Sequence, residues 1–513
     1  MKKLNSSSPS SSWLLLALLW GVLLLLAAWR PLALPDEGRY GEIGRWMLVS
    51  GDWLTPRLNG IPFFHKPPLL YWLEALSVSI FGVTAWAVRL VPALHAGLML
   101  TTLYLAARHI GGERLAQRAT LMLGTSLSFL IGGQYINHDM LVACWIGVAI
   151  WSFAASFMLG ERPDVRLALI GFAACALGVL SKGMIGVALP GLVLLIWLIW
   201  TRQLRKITRL PWLRGLTLFS VLALPWFVLL HQQFPGMLNY MFGTQQVSRF
   251  TGTGFNNVRA WWFYLVCLLL LLFPWALFIR PMRNAALDPH VKAWLSLLWI
   301  WIVTIVGFFS IPASKIIGYV LPVMPALALL SAFGYGEWMK NKPQAGRRLL
   351  PILALLATLM AVGATVVAGR FSLKQTATDV AQILACKASP QDSVYVVQGF
   401  PYDLPFYTGA TKPMIIIRDW AEERRNAGDN WQRELFEGAN FDERAGRVLQ
   451  GTEVLAAAGK SPGNWLLLPS SMSRQDRPSG WTPVHEGVNW TLLRSAGKSP
   501  EATQQKSLAG CKH

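Results

Sequence analysis

Two carboxylates stand side by side at Asp36 and Glu37, inside the run LPDEGRYGEIGRWM from Leu34 to Met47. Arg39, Glu42 and Arg45 follow at helical spacing, with Tyr40 among them. A third acid, Asp139, closes the run Tyr135-Ile136-Asn137-His138-Asp139. Cations occupy similar short polar runs. Lys66 follows His65 within Phe63 to Pro68, and Lys182 lies in Ser181-Lys182-Gly183. Arg249 follows Gln245 and Gln246, and Lys315 ends Ser310 to Lys315, one turn before Tyr319. Such a set can hold a phosphodiester and manage a proton. Cations bind a phosphate and stabilise it as a leaving group. A carboxylate accepts a proton from an attacking group, or stabilises charge developing at a sugar carbon. Each residue also has a plainer reading. Asp36 could cap a helix, and Lys66 and Arg249 could snorkel to lipid headgroups. Asp139 could simply pair with Lys182. Lys315 could anchor at the interface, and His138 and His231 could be structural.

The chain that must position these residues is apolar. Of its 513 residues, 54% are hydrophobic and 14% charged, against roughly 25% charge in a soluble protein. The apolar residues come in long blocks, such as Leu14 to Ala28 and the uncharged Trp261 to Ile279. A membrane-crossing helix needs about 20 apolar residues, because the hydrocarbon layer is about 30 Å thick and each residue rises about 1.5 Å. The pattern predicts about eleven spans, near 13–29, 86–107, 117–134, 140–159, 166–180, 183–200, 215–231, 260–279, 293–309, 316–333 and 349–368. Trp13 to Trp29 is read as a retained first helix, because no clear small-residue cleavage site follows Leu26 and more spans come after. Pro67 to Gly82 carries Glu74 and opens on two prolines, so it is read as a helix at the interface or dipping in.

Lysine and arginine in short loops set orientation. With Lys2 and Lys3 in the cytoplasm, the clusters Arg108 to Arg118, Arg162 and Arg166, Arg202 to Arg214, Arg280 to Lys292 and Lys340 to Arg348 all fall on that side. The net charge of +20 is then a matter of topology, anionic lipid and a phosphate-bearing substrate, not of nucleic acid. Every polar run named above falls on the opposite, outer face. The 25 Trp residues read mostly as an interfacial belt.

An odd span count puts everything after about Gly369 outside. The reading is a membrane domain over 1–369, with a first outer loop at 34–85, and a small periplasmic α/β domain over 370–513. Ser393 to Val397, Met414 to Ile417, Trp465 to Leu468 and Trp490 to Leu493 look like strands, while Ala377 to Cys386 and Asp442 to Ala458 have helical spacing. Cys386 and Cys511 are the only cysteines in this tail. An oxidising compartment would allow them to pair, and two free thiols is the alternative.

The order DEGRY, FFHKPPLLYW, NHD, SKGMIG, QQVSRF and FSIPASKIIGYVLPVMPALALL resembles the bacterial lipid A aminoarabinose transferases and the wider GT-C group of polyprenyl-phosphate-sugar dependent transferases, including the protein mannosyltransferases. The resemblance covers most of residues 30–335, and QGFPYDLPFYTG in the tail is similar too. It implies a polytopic α-helical fold of about 11–13 membrane helices with a small C-terminal periplasmic α/β domain. It implies an undecaprenyl-phosphate-linked sugar donor, and a lipid A or other envelope glycan acceptor, at the bacterial inner membrane. Asp36 is the first catalytic candidate, with Glu37 and Asp139 beside it. Lys66, Arg249, Tyr319 and Lys315 match the carrier-phosphate region. Arg39, Tyr40, His65, His138, Lys182 and Gln246 are further cavity candidates. Some relatives bind a divalent metal, partly through a Glu where this chain has His65, which leaves His65 as the candidate ligand. The alternatives are a mannosyltransferase-like enzyme acting on protein, and a non-catalytic flippase. A flippase should expose its polar site to both sides in turn, whereas the unusual polar residues here lie on one side.

Overall fold

The computed structural model describes residues 9–248, 257–279, 288–426, 428 and 430–497. Lys2, Lys3, Arg249, Arg280, Arg283 and Cys511 lie outside the described residues. The chain divides into two compact units. One comprises Met1–Trp29, Lys66–Leu70 and Arg89–Val366, and the other Arg30–His65, Tyr71–Val88 and Val367–His513.

The first unit is helical. Among the described residues seven helices are long and apolar enough to cross a membrane: Ala85–Gly111, His138–Met158, Val165–Lys182, Trp212–Gln233, Pro289–Ser310, Ile317–Asn341 and Pro343–Leu373. The sequence reading has about eleven spans, and the difference has local causes. Ser12–Ala28 and Ile185–Trp200 are apolar helices of shorter length. The stretch 117–134 is broken between the helices Glu113–Gly124 and Leu127–Gly132. There Ser126 leaves the helical conformation and its hydroxyl accepts from the Phe129 amide, starting a new helix. The stretch 260–279 holds the helix Phe263–Leu271 and a 3₁₀ turn, Trp275–Phe278, separated at Pro274, which has no N–H to continue a helix. Packing is closest where side chains vanish. A Cβ on Gly178 would stand 3.0 Å from the Cα of Gly186, so the helices Val165–Lys182 and Ile185–Trp200 meet backbone to backbone, as small residues allow in membranes.

The second unit is built on a six-stranded sheet. The loop that follows the first helix gives a separate hairpin, β1 (Arg57–Leu58) and β2 (Ile61–Pro62). The sheet itself contains β3 (Ser393–Val397), β4 (Ile415–Ile417), β5 (Leu449–Gln450), β6 (Asn464–Pro469), β7 (Trp481–Glu486) and β8 (Trp490–Ser495), in the order β5-β4-β3-β6-β8-β7. The first four are parallel, and β8 and β7 add antiparallel strands at one edge. Apolar runs such as Trp465 to Leu468 are fully buried, as strands covered on both faces are. All four predicted strands are present. The helical expectation over Asp442 to Ala458 is not met as one helix: Glu443–Gly446 and Val454–Lys460 flank β5. Gly446 and Gly451 interrupt the helical spacing there, and tertiary pairing with β4 draws Leu449 and Gln450 into the sheet.

Residues 370–513 do not make this unit alone, for Arg30–His65 and Tyr71–Val88 pack with them. Leu69–Phe81 is a helix of 13 residues, about 20 Å at 1.5 Å per residue. That is too short to cross the hydrocarbon layer.

Candidate active site

The acidic run folds as the helix Asp36–Ser50, which follows Pro35 directly. Acids in a first helical turn are favoured by the N-terminal dipole. Asp36 and Glu37, though adjacent, have different surroundings. Glu37 is fully buried, accepts from both Nη groups of Arg30 and also takes the Ala33 amide at 2.7 Å. Its carboxylate is engaged by the scaffold. Asp36 accepts from Arg39 at 2.8 Å, and its side chain is 29% exposed. Of the pair, Asp36 is the one a substrate can reach.

Arg39 is the hub of this cluster. Its Nη1 donates to Glu434 and its Nη2 to Asp36 and to the Tyr40 hydroxyl. Its guanidinium lies 4.6 Å from the centroid of the Tyr40 ring. Burial alone would lower the pKa of this arginine, but Glu434, Tyr40 and Asp36 more than offset it, so the cation is secure. Glu434 comes from the tail helix Trp431–Ala439, which Asn430 caps through the Arg433 amide. Glu434 also stands 3.7 Å from Nδ1 of His65, whose ring stacks on Phe63 at 4.7 Å. Further along the acidic helix, Arg45 grips Glu42 with two bonds, at 2.6 and 2.7 Å, and donates to the Ala410 carbonyl. Burial pushes the Glu42 carboxyl up, and Arg45 opposes that.

Glu74 is the odd member. It is fully buried and neither carboxyl oxygen has a hydrogen-bond partner. Burial first, and the charge of Glu37 second, hold its carboxyl well above the usual carboxylate range. It packs at Gly44, where an added Cβ would lie 2.6 Å from the Glu74 Cβ.

The first unit gathers a second cluster. Asp139 opens the helix His138–Met158, and its carboxylate takes the Lys182 ammonium. The plainer reading of that acid therefore holds geometrically. The same ammonium lies 4.5 Å from the centroid of the Tyr319 ring, a cation–π contact that ties three sequence-predicted residues together. Gly318 makes room, since a Cβ there would collide with the Asp139 carboxylate. His138 Nδ1 bonds the Ser181 carbonyl at 2.7 Å. Lys315 is buried and donates to the carbonyls of Arg259 and Pro312, at 3.2 and 2.6 Å, so local backbone engages its ammonium. Lys66 is half-buried in the same unit. Gln246 lies in the wide-turned helix Asn239–Ser248, whose Gln245 donates to the Tyr240 hydroxyl at 3.2 Å.

Glu434 is an acid neighbour of His65, and among the described residues no three His, Cys, Asp or Glu side chains stand close enough to hold a metal ion. That donor set does not fit a metal of the kind some relatives bind. Cys386 is disulfide-bonded, while its expected partner Cys511 lies outside the described residues.

Sequence reasoning missed Arg30, Glu74 and Glu434. Arg30 carried a weak signal, as a charge placed at the end of the first span. Nothing local distinguishes Glu434 within WQRELFE, because its role exists only once the tail has folded.

A family model described as dolichyl-phosphate-mannose-protein mannosyltransferase matches residues 12–241. An undecaprenyl phosphate-alpha-4-amino-4-deoxy-L-arabinose arabinosyl transferase of Pseudomonas fluorescens is 32% identical over 338 residues, 64% of this chain and 58% of that protein. The chain spans about three-fifths of the length of such curated relatives. The crystal structure of ArnT from Cupriavidus metallidurans bound to undecaprenyl phosphate matches with a TM-score of 0.79 at 24% identity, over 96% of this chain and 100% of that one. The Archaeoglobus fulgidus oligosaccharyltransferase tethered to an acceptor peptide matches with a TM-score of 0.50 at 13% identity, over 91% of this chain and 70% of that one. The resemblance seen in the motifs is borne out, and the fold is the expected one: a multi-pass helical membrane protein of GT-C type with a small C-terminal α/β region.

Proposed function

We propose that this protein transfers a sugar from an undecaprenyl-phosphate-linked donor to an envelope acceptor, lipid A or a related glycan, on the outer face of the inner membrane. The observation that carries the proposal is the contrast between Asp36 and Glu37. One acid is engaged by the scaffold, and its neighbour is partly exposed and oriented by Arg39. The Pseudomonas fluorescens relative is named for undecaprenyl phosphate-alpha-4-amino-4-deoxy-L-arabinose, which supports a 4-amino-4-deoxy pentose as the sugar.

The reaction is a direct displacement with inversion. An acceptor oxygen attacks the anomeric carbon. The bond from that carbon to the carrier phosphate breaks, and undecaprenyl phosphate leaves with the electron pair. Lys66 and Arg249 hold the phosphate and neutralise the charge that grows on it. If the acceptor is a hydroxyl, its proton goes to Asp36. If the acceptor is an ionised phosphate, no proton moves, and Asp36 orients it or stabilises charge at the sugar carbon. Lys182 holds Asp139 in place, and Tyr319 covers that ammonium.

The test is purified protein in detergent, given undecaprenyl-phosphate aminoarabinose and a panel of lipid A, glycan and peptide acceptors. Product made without a sealed compartment supports a transferase. Donor left intact with every acceptor, together with movement of donor across a vesicle bilayer, would overturn it in favour of a flippase.

A further inference from the structure

The second unit contains a cavity of about 240 Å³ that the reaction above does not use. It opens at the carboxyl ends of β3 and β4, two parallel strands, since Gly399 and Phe400 follow β3 and Arg418 follows β4. Open α/β sheets carry their ligand crevices outside the carboxyl ends of the strands, where the strand order turns. β3 is the strand at which this order turns, with β4 on one side and β6 on the other. Gln398, the first residue past β3, holds φ at +57°, a conformation unfavourable for a non-glycine residue that persists only where the surroundings impose it.

The lining mixes flat apolar faces with a few polar groups. Phe400, Tyr402 and Trp420 supply aromatic rings, and Gln375, Gln432 and Arg418 supply donors and acceptors. Tyr402 and Trp420 are at least nine-tenths buried. Arg418 gives its Nε to Glu423 at 2.9 Å, which leaves the two Nη groups, the outer prongs of its fork, for a ligand anion. Paired N–H groups of a guanidinium match phosphate geometry. Aromatic walls with convergent amides and a guanidinium suit a sugar ring bearing a phosphate. The volume is below the 300–1,000 Å³ typical of drug-sized sites, which argues for one ring.

The cavity is tied to the acidic helix. Leu34 and Pro35, which also line it, directly precede Asp36. Gln432 and Leu435 line it from the helix whose Glu434 holds Arg39. A Cβ on Gly38 would lie 2.8 Å from the Asp403 nitrogen and 3.0 Å from the Tyr402 carbonyl carbon, so the acidic helix rests on the backbone beside the cavity.

We infer that this cavity is an acceptor subsite that binds one phosphorylated hexose ring of the acceptor beside Asp36. The inference rests on the transferase reading, but the binding it asserts can be measured without turnover. The probe is glucosamine 1-phosphate, followed by saturation-transfer NMR on the full-length protein in detergent. Glucosamine 1-phosphate should bind at least tenfold more tightly than glucosamine or inorganic phosphate. Arg418→Gln and Phe400→Ala should each weaken it at least tenfold. Gln375→Leu, at an exposed lining position, should weaken it with no cost to folding. Undecaprenyl phosphate should not displace it. Binding that ignores all three cavity variants, or that undecaprenyl phosphate competes away, would overturn the subsite. Cavity-dependent binding in a protein that transfers nothing would keep the subsite and sink the transferase reading instead.

Discussion

At the scale of single residues, the two adjacent acids should fail differently. Asp36→Asn removes a base but keeps the Arg39 contact in reach. Transfer to a hydroxyl acceptor should fall about 10²–10⁴-fold, the range of general-base contributions, with donor binding unchanged in an equilibrium assay. Glu37→Ala instead deletes the carboxylate that faces the buried Arg30 guanidinium, and breaking a buried ion pair costs about 3–5 kcal/mol. Its signature should be a lower unfolding midpoint and less protein in the membrane. Equal kinetic defects at normal stability in both variants would remove the distinction.

Asp403 gives a pH handle. Burial pushes its carboxyl up to about 6, against hydrogen bonds from Thr376 and the Ala377 amide that favour the charged form. A carboxyl whose folded pKa exceeds its unfolded value, about 3.9, binds a proton more tightly in the native state. Its contribution is complete below about pH 4 and is lost as pH rises to about 6. The unfolding midpoint of the wild type should therefore fall relative to Asp403→Asn between pH 4 and 6, by the equivalent of roughly 3 kcal/mol, and run parallel to it above. A constant difference across that window would contradict the assignment.

At the scale of elements, the acidic helix depends on what its glycines omit. Gly38 leaves no room for a methyl group against Tyr402 and Asp403. Gly38→Ala must shift backbone, and overpacking of this kind costs about 1–3 kcal/mol. Gly21, with nothing within 4 Å of an added Cβ, is the control: Gly21→Ala should change neither stability nor transfer. Gly318→Ala should displace Asp139 from Lys182, and lose transfer while the protein still folds, as judged by detergent gel filtration and thermal unfolding.

The elements also show what sequence pattern carries. Period and length make β3 and β6 legible, because Ser393 to Val397 and Trp465 to Leu468 are apolar runs of strand length. β5 is two residues long, and β7 mixes Thr482, Pro483 and Glu486 with apolar positions, so neither has a period to read. The polar runs at Asp36, Asp139, Lys182 and Tyr319 are visible because charge is conspicuous in apolar sequence. Arg39's link to Glu434 spans 395 positions, and no local pattern encodes a contact of that separation.

At the scale of the whole molecule, the segment Arg30–His65 and the tail belong to one compact unit. Asn59 exchanges two bonds of 2.8 Å with Met414. Arg57 pairs with Asp442 at 3.0 Å, and the Tyr407 hydroxyl accepts from the Leu32 amide at 2.8 Å. A chain ending at residue 369 should still insert in the membrane, yet its loop at 30–65 should be cut rapidly by added protease, and transfer should be lost. A truncated chain with a protected loop would show that the loop folds without the tail.

The hub arginine bears on ancestry as well as on chemistry. Asp36 is its near neighbour in sequence and Glu434 lies 395 positions away, so a recombination event that replaced only one of these segments would leave a buried guanidinium beside a stranger. Lineages of this protein should therefore exchange residues 30–65 and 367–497 together or not at all, and chimaeras grafting both segments should survive where single grafts do not.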